Sequence, residues 1–125
     1  MTKTIMIVDD SPDILGVFGG VLRRKGYEVI TVEDSTSVMQ ALQGARPDLF
    51  VLDVMMPEIN GIDLCRMIRA LPEHHDTPVI IVSAYSNSGI VGQTFDAGAN
   101  DYIFKPVDPR ALEAKIHDIL EVAEA

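Results

Sequence analysis

Strand-like and helix-like hydrophobic patterns alternate five times along the chain. Short apolar runs bounded by turn residues are typical of buried strands, whereas apolar residues at intervals of three and four indicate a helix packed on a sheet. Such alternation predicts an α/β fold of βαβ units, with a parallel sheet, right-handed crossovers and helices on both faces. A helix follows each of the strands predicted over residues 4–9, 28–32, 48–53, 78–84 and 101–104.

Cap residues and apolar spacing define the predicted helices. Ser11 and Asp108 are suitable N-caps for the first and last helices, and in both cases a proline follows at the first helical position. A second helix is predicted over residues 35–45 and a weaker fourth over residues 87–97, where two glycines lower the helix propensity. In the first, third and last helices, the residues expected to face the sheet are Ile14, Phe18, Val21, Leu22, Leu64, Met67, Ile68, Leu71, Leu112, Ile116, Ile119 and Leu120.

The composition restricts the setting in which the chain works. Its 125 residues suit a single domain over residues 1–125, and the one cysteine, Cys65, lies among apolar helix positions as a small core residue. No apolar run is long enough to span a membrane and no secretory signal precedes the first strand, so we expect a cytoplasmic protein. The net charge of −9 argues against direct nucleic-acid binding and favours a cation site or a basic partner.

Reactive side chains stand at the carboxyl ends of four predicted strands, namely Asp9 and Asp10, Asp53, Ser83 and Lys105. In a parallel sheet these ends share one edge, where open α/β sheets bind ligands. Three neighbouring carboxylates repel one another, and Mg²⁺ relieves that repulsion while also accepting phosphate oxygens as ligands. With an ammonium and a hydroxyl nearby, the set suits phosphoryl transfer, in which Asp53 would be the nucleophile that becomes an acyl phosphate.

Five short motifs occur in order along the chain. They are VDD at residues 8–10, LDVMMPEINGIDL at 52–64, VSA at 82–84, AGAND at 97–101 and DYIFKP at 101–106. In this order and at this spacing they make the chain resemble a response regulator receiver domain of bacterial two-component signalling, over essentially its whole length. The resemblance implies a five-stranded, doubly wound parallel sheet with the flavodoxin-like strand order 2-1-3-4-5.

The resemblance also implies a role for each carboxylate. Asp53 would accept a phosphoryl group from the phosphohistidine of a sensor histidine kinase or of a histidine phosphotransfer protein. Asp10, Asp53 and the backbone carbonyl of Met55 would bind Mg²⁺, and Asp9 would contribute through a water molecule. Such a chain is a phosphorylation-controlled switch that catalyses its own phosphorylation and dephosphorylation, rather than an enzyme that turns over a separate substrate.

The same resemblance implies residues that bind the phosphoryl group and signal its presence. Lys105 would pair with the phosphoryl oxygens, and Ser83 would bond to them together with the backbone N–H of Ala84. Ser83 and Tyr102, the residue at the family's switch aromatic position, would rearrange the face presented to a downstream protein. The chain would be a monomer or a phosphorylation-dependent dimer, and the peptide bond between Lys105 and Pro106 would be cis.

Three other functions use similar parts. A Mg²⁺-dependent phosphatase with an aspartyl nucleophile usually needs a second acid two residues after the nucleophile, where this chain has Met55. A flavodoxin-like FMN carrier needs a hydroxyl- or glycine-rich phosphate loop, and DDSPD at residues 9–13 would repel phosphate unless a metal intervened. A phosphorylation-independent interaction module predicts loss of site residues, and none is missing.

Other features are interpreted as structural. EHHD at residues 73–76 lacks a convincing ligand spacing, so a solvated loop is favoured over a metal site. Pro57 and Gly61 are expected to shape the loop after Asp53, the glycine by adopting dihedral angles that other residues avoid. Ser35 stands where many family members have glycine, and Ser83 replaces the commoner threonine; neither change is expected to alter the chemistry.

Overall fold

The five predicted strands form one parallel sheet. The computed structural model describes the backbone of residues 2–124 and the side chains of residues 2–121. The strands are Thr4–Val8 (β1), Glu28–Val32 (β2), Leu49–Leu52 (β3), Val79–Ser83 (β4) and Asp101–Phe104 (β5). Their order is β2-β1-β3-β4-β5, and every neighbouring pair is parallel, which confirms the predicted fold class and strand order.

The helices are Pro12–Arg24 (α1), Val38–Ala41 (α2), Gly61–Arg69 (α3), Ser88–Asp96 (α4) and Pro109–Glu124 (α5). The predicted second helix is too long, because α2 is a single turn that follows a 3₁₀ turn at Ser35–Ser37. Asp34 initiates that 3₁₀ turn by accepting a hydrogen bond from the backbone N–H of Thr36 at 3.0 Å, and serine and threonine favour such local bonds over a helix. Among the helices of residues 2–124, none combines the length and apolar character needed to cross a bilayer.

Helices cover both faces of the sheet. Alternate residues of a strand point to opposite faces, so Ile5 and Ile7 enter one apolar core while Met6 and Val8 enter the other. The first core is closed by α1 and α5, and the second by α2, α3, Ile90 of α4 and the segment that follows α4. Full burial of one such aliphatic side chain stabilises the fold by about 1.5–3 kcal/mol. The two cores thereby fix the strands in a register that brings their carboxyl ends together.

The buried face of α3 differs from the prediction at one position. Leu64, Cys65 and Ile68 are fully buried, which confirms the interpretation of the cysteine, but Met67 is 37% exposed. Met67 precedes Ile68 and therefore lies about 100° around the helix axis from it, away from the sheet. The thiol of Cys65 lies 3.5 Å from the carbonyl of Ala97, and burial raises its pKa, as expected of an unreactive core cysteine.

His74 is the exception to the interpretation of residues 73–76 as a solvated loop, because the other three residues are exposed. Its side chain is buried, and its ring meets Phe50 of β3 edge to face with 5.1 Å between the ring centroids. Nδ1 lies 2.9 Å from the hydroxyl of Thr77. Burial lowers the pKa of His74, and the charge of Arg46 lowers it further. The imidazole is therefore a neutral core residue, while His75 beside it is exposed.

Candidate functional site

Three carboxylates meet where β1 and β3 end. Val8 pairs with Leu52 in the register of these neighbouring strands, so Asp9, Asp10 and Asp53 follow side by side. The backbone N–H of Asp53 extends the ladder by donating to the carbonyl of Val8 at 3.1 Å. Each carboxylate offers one oxygen, and the three oxygens lie within 4.8 Å of one another. Asp9 and Asp53 are buried, whereas Asp10 is exposed.

Lys105 brings an ammonium group to the same place from the end of β5. Its backbone N–H donates to the carbonyl of Ser83 at 2.8 Å, which holds the ends of β4 and β5 together. Its Nζ donates to Asp53 Oδ2 at 3.0 Å and to Asp9 Oδ2 at 3.2 Å. The peptide bond between Lys105 and Pro106 is cis, as the resemblance implied. Three residues that are far apart in the sequence thus form one ion-paired cluster.

The cluster shifts the pKa of two of its members. Burial raises the pKa of the Asp53 carboxyl above its usual range, the charge of Asp9 adds to this, and Lys105 offsets only part of it. Burial alone would lower the pKa of Lys105, but its hydrogen bonds with Asp53 and Asp9 and their charges outweigh burial and raise it. Lys105 therefore stays charged at neutral pH, and ionised Asp53 carries an electrostatic cost that a further cation would relieve.

The donor atoms of the cluster suit a hard divalent cation. Asp9, Asp10 and Asp53 present oxygen atoms only, which are the ligands of Mg²⁺ and Ca²⁺. Two of the three carboxylates are buried, so their mutual repulsion is weakly screened by solvent. The backbone N–H of Met55 donates to Asp53 Oδ1 at 3.3 Å, which ties the loop bearing the Met55 carbonyl to the same carboxylate. The residues present therefore fit a metal site.

The loop after β3 folds back tightly on the end of that strand. The backbone N–H groups of Met56 and Gly61 both donate to the carbonyl of Val54, at 3.1 and 3.0 Å. A Cβ atom on Gly61 would collide with the backbone carbonyl of Asp53. The glycine is thus required by close approach, and the left-handed residue of the loop is Glu58, with φ of 70°. The expectation that Gly61 itself would adopt unusual dihedral angles is not met.

The other predicted site residues lie at the end of β4 and on β5. Ser83 is fully buried, and its hydroxyl oxygen accepts from the backbone N–H of Tyr85 at 3.4 Å. Ala84, next in the chain, is exposed. Tyr102 is half-buried; its hydroxyl donates to the carbonyl of Tyr85 at 2.8 Å, and its ring centroid lies 5.2 Å from that of Phe104. Ser83 and Tyr102 therefore both contact Tyr85, at the junction between β4 and the loop that leads to α4.

A cavity of about 560 Å³ opens beside the carboxylates. It extends from Asp10 to the first half of α4, and its walls include Met55, Tyr85, Ile90 and Gln93. Met55 and Tyr85 are 54% and 38% exposed, so these side chains border the approach from solvent to the cluster. Asp10 is the member of the carboxylate cluster that lines it, together with Val54, the residue after Asp53.

One contact of the site loop was missed by the sequence analysis. Ser35, expected to have no consequence, is 2% exposed, and its hydroxyl donates to the carbonyl of Pro57 at 3.1 Å. The two residues are 22 positions apart and belong to different loops. Because neither loop has a periodic pattern, no signal in the sequence indicates that they touch.

Comparison with known proteins gives one consistent result. A family model described as the response regulator receiver domain matches residues 5–117. The DNA-binding response regulator MtrA of Mycolicibacterium smegmatis is 34% identical over 116 residues, which cover 93% of this chain and 50% of that protein. The alkaline phosphatase synthesis transcriptional regulatory protein PhoP of Bacillus subtilis is 34% identical over 124 residues, covering 99% and 51%. The chain spans about half the length of these relatives.

Solved structures agree with the sequence matches. The response regulator receiver domain protein (CheY-like) from Methanospirillum hungatei JF-1 superimposes with a TM-score of 0.92 at 30% sequence identity. The superposition covers 99% of this chain and 98% of that one. The similarity therefore includes the whole sheet and the edge at which the carboxylates meet.

Proposed function

Because this chain belongs to the response regulator receiver domain family, a family of phosphorylation-controlled signalling switches, we propose that Asp53 is its phosphoryl acceptor. The observation that carries this assignment is the position of Asp53 between two further carboxylates and the ammonium of Lys105. Asp53 is the member of the cluster that follows the central strand β3. It accepts hydrogen bonds from the ammonium of Lys105 and from the backbone N–H of Met55. The phosphoryl donor is the phosphohistidine of a sensor histidine kinase or of a histidine phosphotransfer protein.

The transfer needs positioning and charge neutralisation. A carboxylate oxygen of Asp53 forms the new bond to phosphorus as the phosphorus–nitrogen bond of the donor breaks, and the bonding electron pair stays with the imidazole. Lys105, already 3.0 Å from Asp53, is placed to pair with the phosphoryl oxygens. Asp10, Asp53 and the Met55 carbonyl would hold Mg²⁺, with Asp9 acting through water. The bound metal would neutralise charge on the same phosphoryl oxygens.

Ser83, Ala84 and Tyr102 are proposed to convert phosphorylation into a change of surface. The hydroxyl of Ser83 and the backbone N–H of Ala84 would bind phosphoryl oxygens. Movement of Ser83 and Ala84 toward these oxygens would alter the segment at Tyr85, whose carbonyl accepts a hydrogen bond from the Tyr102 hydroxyl. Amide shifts over residues 83–105 should therefore change when beryllofluoride, which mimics a phosphoryl group, is added with Mg²⁺. Shifts that match those of the free protein would contradict a switch in this segment.

We further propose that residues 1–125 form one receiver domain that works in the cytoplasm, as a monomer or as a phosphorylation-dependent dimer. The net charge of −9 supports a domain that does not contact nucleic acid directly. The DNA binding named for the relatives belongs to proteins of which this chain covers about half. The proposed catalytic activity is catalysis of the domain's own phosphorylation and dephosphorylation, rather than turnover of a separate substrate.

Intact-mass measurement after incubation with Mg²⁺ and acetyl phosphate tests the acceptor assignment. We expect one phosphoryl group on the parent, labile in acid and alkali as an acyl phosphate is, and none on Asp53→Asn. Asp13→Asn is the matched control, because Asp13 is an exposed carboxylate in the first turn of α1 and should leave the adduct unchanged. An adduct that persists in Asp53→Asn would overturn the assignment.

A further inference from the structure

Ser35 connects two loops at the edge of the candidate site. It opens the 3₁₀ turn between β2 and α2, its side chain is 2% exposed, and its hydroxyl donates to the carbonyl of Pro57 at 3.1 Å. Pro57 lies in the loop between β3 and α3, two residues after Met55. A hydroxyl contributed by one loop therefore holds the backbone of the other loop, the one that follows Asp53.

The held carbonyl belongs to the most constrained part of that loop. The carbonyl of Pro57 also accepts from the backbone N–H of Ile59 at 2.8 Å, which closes a tight turn around Glu58. Glu58 has φ of 70°, a left-handed conformation that is unfavourable for a residue other than glycine. Such a conformation persists only where surrounding contacts fix it, and the hydroxyl of Ser35 is one of those contacts.

The other backbone hydrogen bonds of the loop lie at its two ends, outside the tip formed by residues 57–59. Two of them converge on the carbonyl of Val54: the one from Gly61 joins the two ends of the loop, and the one from Met56 closes a turn at its start. Among the hydrogen bonds described for residues 2–121, the one from Ser35 comes from a different element and meets the tip at Pro57. It is therefore suited to restrain the segment between Asp53 and the tip, which contains the Met55 carbonyl.

We propose that Ser35 is a positioning residue of the cation site. By anchoring the carbonyl of Pro57, it holds the Met55 carbonyl and Asp53 in the arrangement that binds Mg²⁺, and so raises the affinity of the domain for Mg²⁺. This inference rests on the proposed function. Many members of the family have glycine where this chain has Ser35. A glycine has no hydroxyl and could not restrain the loop after Asp53 in this way.

Three variants test the inference by titration calorimetry with Mg²⁺ alone. Ser35→Ala removes the hydroxyl and should weaken Mg²⁺ binding about three- to tenfold, the range that loss of one net hydrogen bond allows. Ser37→Ala is the matched control, because Ser37 is exposed and makes no capping hydrogen bond, and it should bind as the parent does. Ser35→Thr keeps the hydroxyl and should stay within about twofold of the parent.

Hydrogen exchange in the metal-free protein supplies a second readout. The amides of Met55, Met56 and Ile59 should exchange faster in Ser35→Ala than in Ser37→Ala, because the tip of the loop has lost its anchor. Affinity and exchange that are equal in these two variants, measured below both melting transitions, would overturn the inference. So would a Ser35→Thr variant as weak as Ser35→Ala. If Ser35→Ala does not fold, Ser35→Cys, whose thiol is a weak donor, replaces it with the same two outcomes.

Mg²⁺ binding and phosphorylation of the parent protein distinguish failure of the role of Ser35 from failure of the proposed function. A parent that binds Mg²⁺ and takes a phosphoryl group on Asp53, beside a Ser35→Ala variant of equal Mg²⁺ affinity, overturns the role of Ser35 alone. A parent that binds no Mg²⁺ and takes no phosphoryl group overturns the proposed function, and the role of Ser35 with it, since there is then no cation site to position.

Discussion

Gly61 offers the sharpest test of how the fold positions Asp53. It begins α3, and the Cβ of an alanine there would overlap the carbonyl oxygen of Asp53 and lie 2.7 Å from the carbonyl carbon. The Cα of Val54 would be 3.0 Å away. All of these are backbone atoms, so no side-chain rotation relieves the overlap. Gly61→Ala must therefore move the start of α3 away from the end of β3.

The expected magnitude follows from the contact. Overpacking a close-packed site usually costs about 1–3 kcal/mol, and the backbone contact places Gly61→Ala near the upper end, at roughly 2–3 kcal/mol of unfolding free energy. Gly16→Ala is the matched control: Gly16 lies within α1, and its Cβ would meet nothing within 4 Å. There the same change should add about 0.5–1 kcal/mol, because alanine favours the helix.

Thermal unfolding followed by circular dichroism measures the contrast. At roughly 3–5 °C per kcal/mol for a chain of this length, Gly61→Ala should melt roughly 6–15 °C below the parent and Gly16→Ala slightly above it. The shift of the Asp53 carbonyl should also displace its carboxylate from Lys105, so the rate of phosphorylation by acetyl phosphate should fall about tenfold or more. A Gly61→Ala variant as stable and as reactive as Gly16→Ala would show that the close approach does not hold the site.

Three further predictions concern other parts of the molecule. Asp10→Asn should weaken Mg²⁺ binding about tenfold or more in titration calorimetry, because it removes a ligand; unchanged affinity would exclude Asp10 from the site. His74→Gln should make the free energy of unfolding less sensitive to acid, because burial lowers the pKa of His74 in the folded protein. The stability contributed by the neutral imidazole is complete above the usual pKa of about 6.5 and is lost as the pH falls through the lower folded value. Urea unfolding between pH 7.5 and pH 5 measures this, and equal pH dependence in parent and variant would contradict it. Replacing Met55 by Asn and Tyr85 by Glu together should speed loss of the phosphoryl group about tenfold, which corresponds to roughly 1.4 kcal/mol of barrier. Both parent side chains border the approach of water and neither can orient an attacking water molecule. Equal decay rates at matched Mg²⁺ would show that these side chains do not control access of water.

The edge of the sheet that holds the site was predictable because it depends on local signals. Each strand is a short apolar run, and parallel topology places the residues that follow β1, β3 and β5 together. Asp9, Asp53 and Lys105 could therefore be grouped from the sequence. The 3.0 Å contact between Lys105 and Asp53 could not, because a lysine side chain has several rotamers and β4 lies between the two strands.

The errors share a different physical origin. His74 is buried because Phe50, 24 positions earlier, packs against its ring, and Ser35 is buried against a loop 22 positions later. In each contact the buried polar residue lies in a segment without hydrophobic periodicity and meets a residue more than 20 positions away, so a short window of sequence holds no trace of the contact. The excess length predicted for α2 is a local error instead: the chain turns after Ala41, where the backbone N–H groups of Gln43 and Gly44 bond to carbonyls three residues earlier, and Gly44 favours leaving the helix.

The proposed path from Asp53 to the surface of the domain runs through the strand ends. Nζ of Lys105 is 3.0 Å from Asp53, and the backbone N–H of Lys105 donates to the carbonyl of Ser83. Tyr102 lies on β5, the strand that leads to Lys105. A phosphoryl group on Asp53 places oxygens farther from the backbone than the carboxylate does, so we expect the ammonium and the hydroxyl of Ser83 to follow them. Tyr102 donates a hydrogen bond to the carbonyl of Tyr85, two residues beyond Ser83, so we expect that displacement to reach the surface through polar contacts at the sheet edge. The two apolar cores, whose close packing resists deformation, then need not change for the signal to pass.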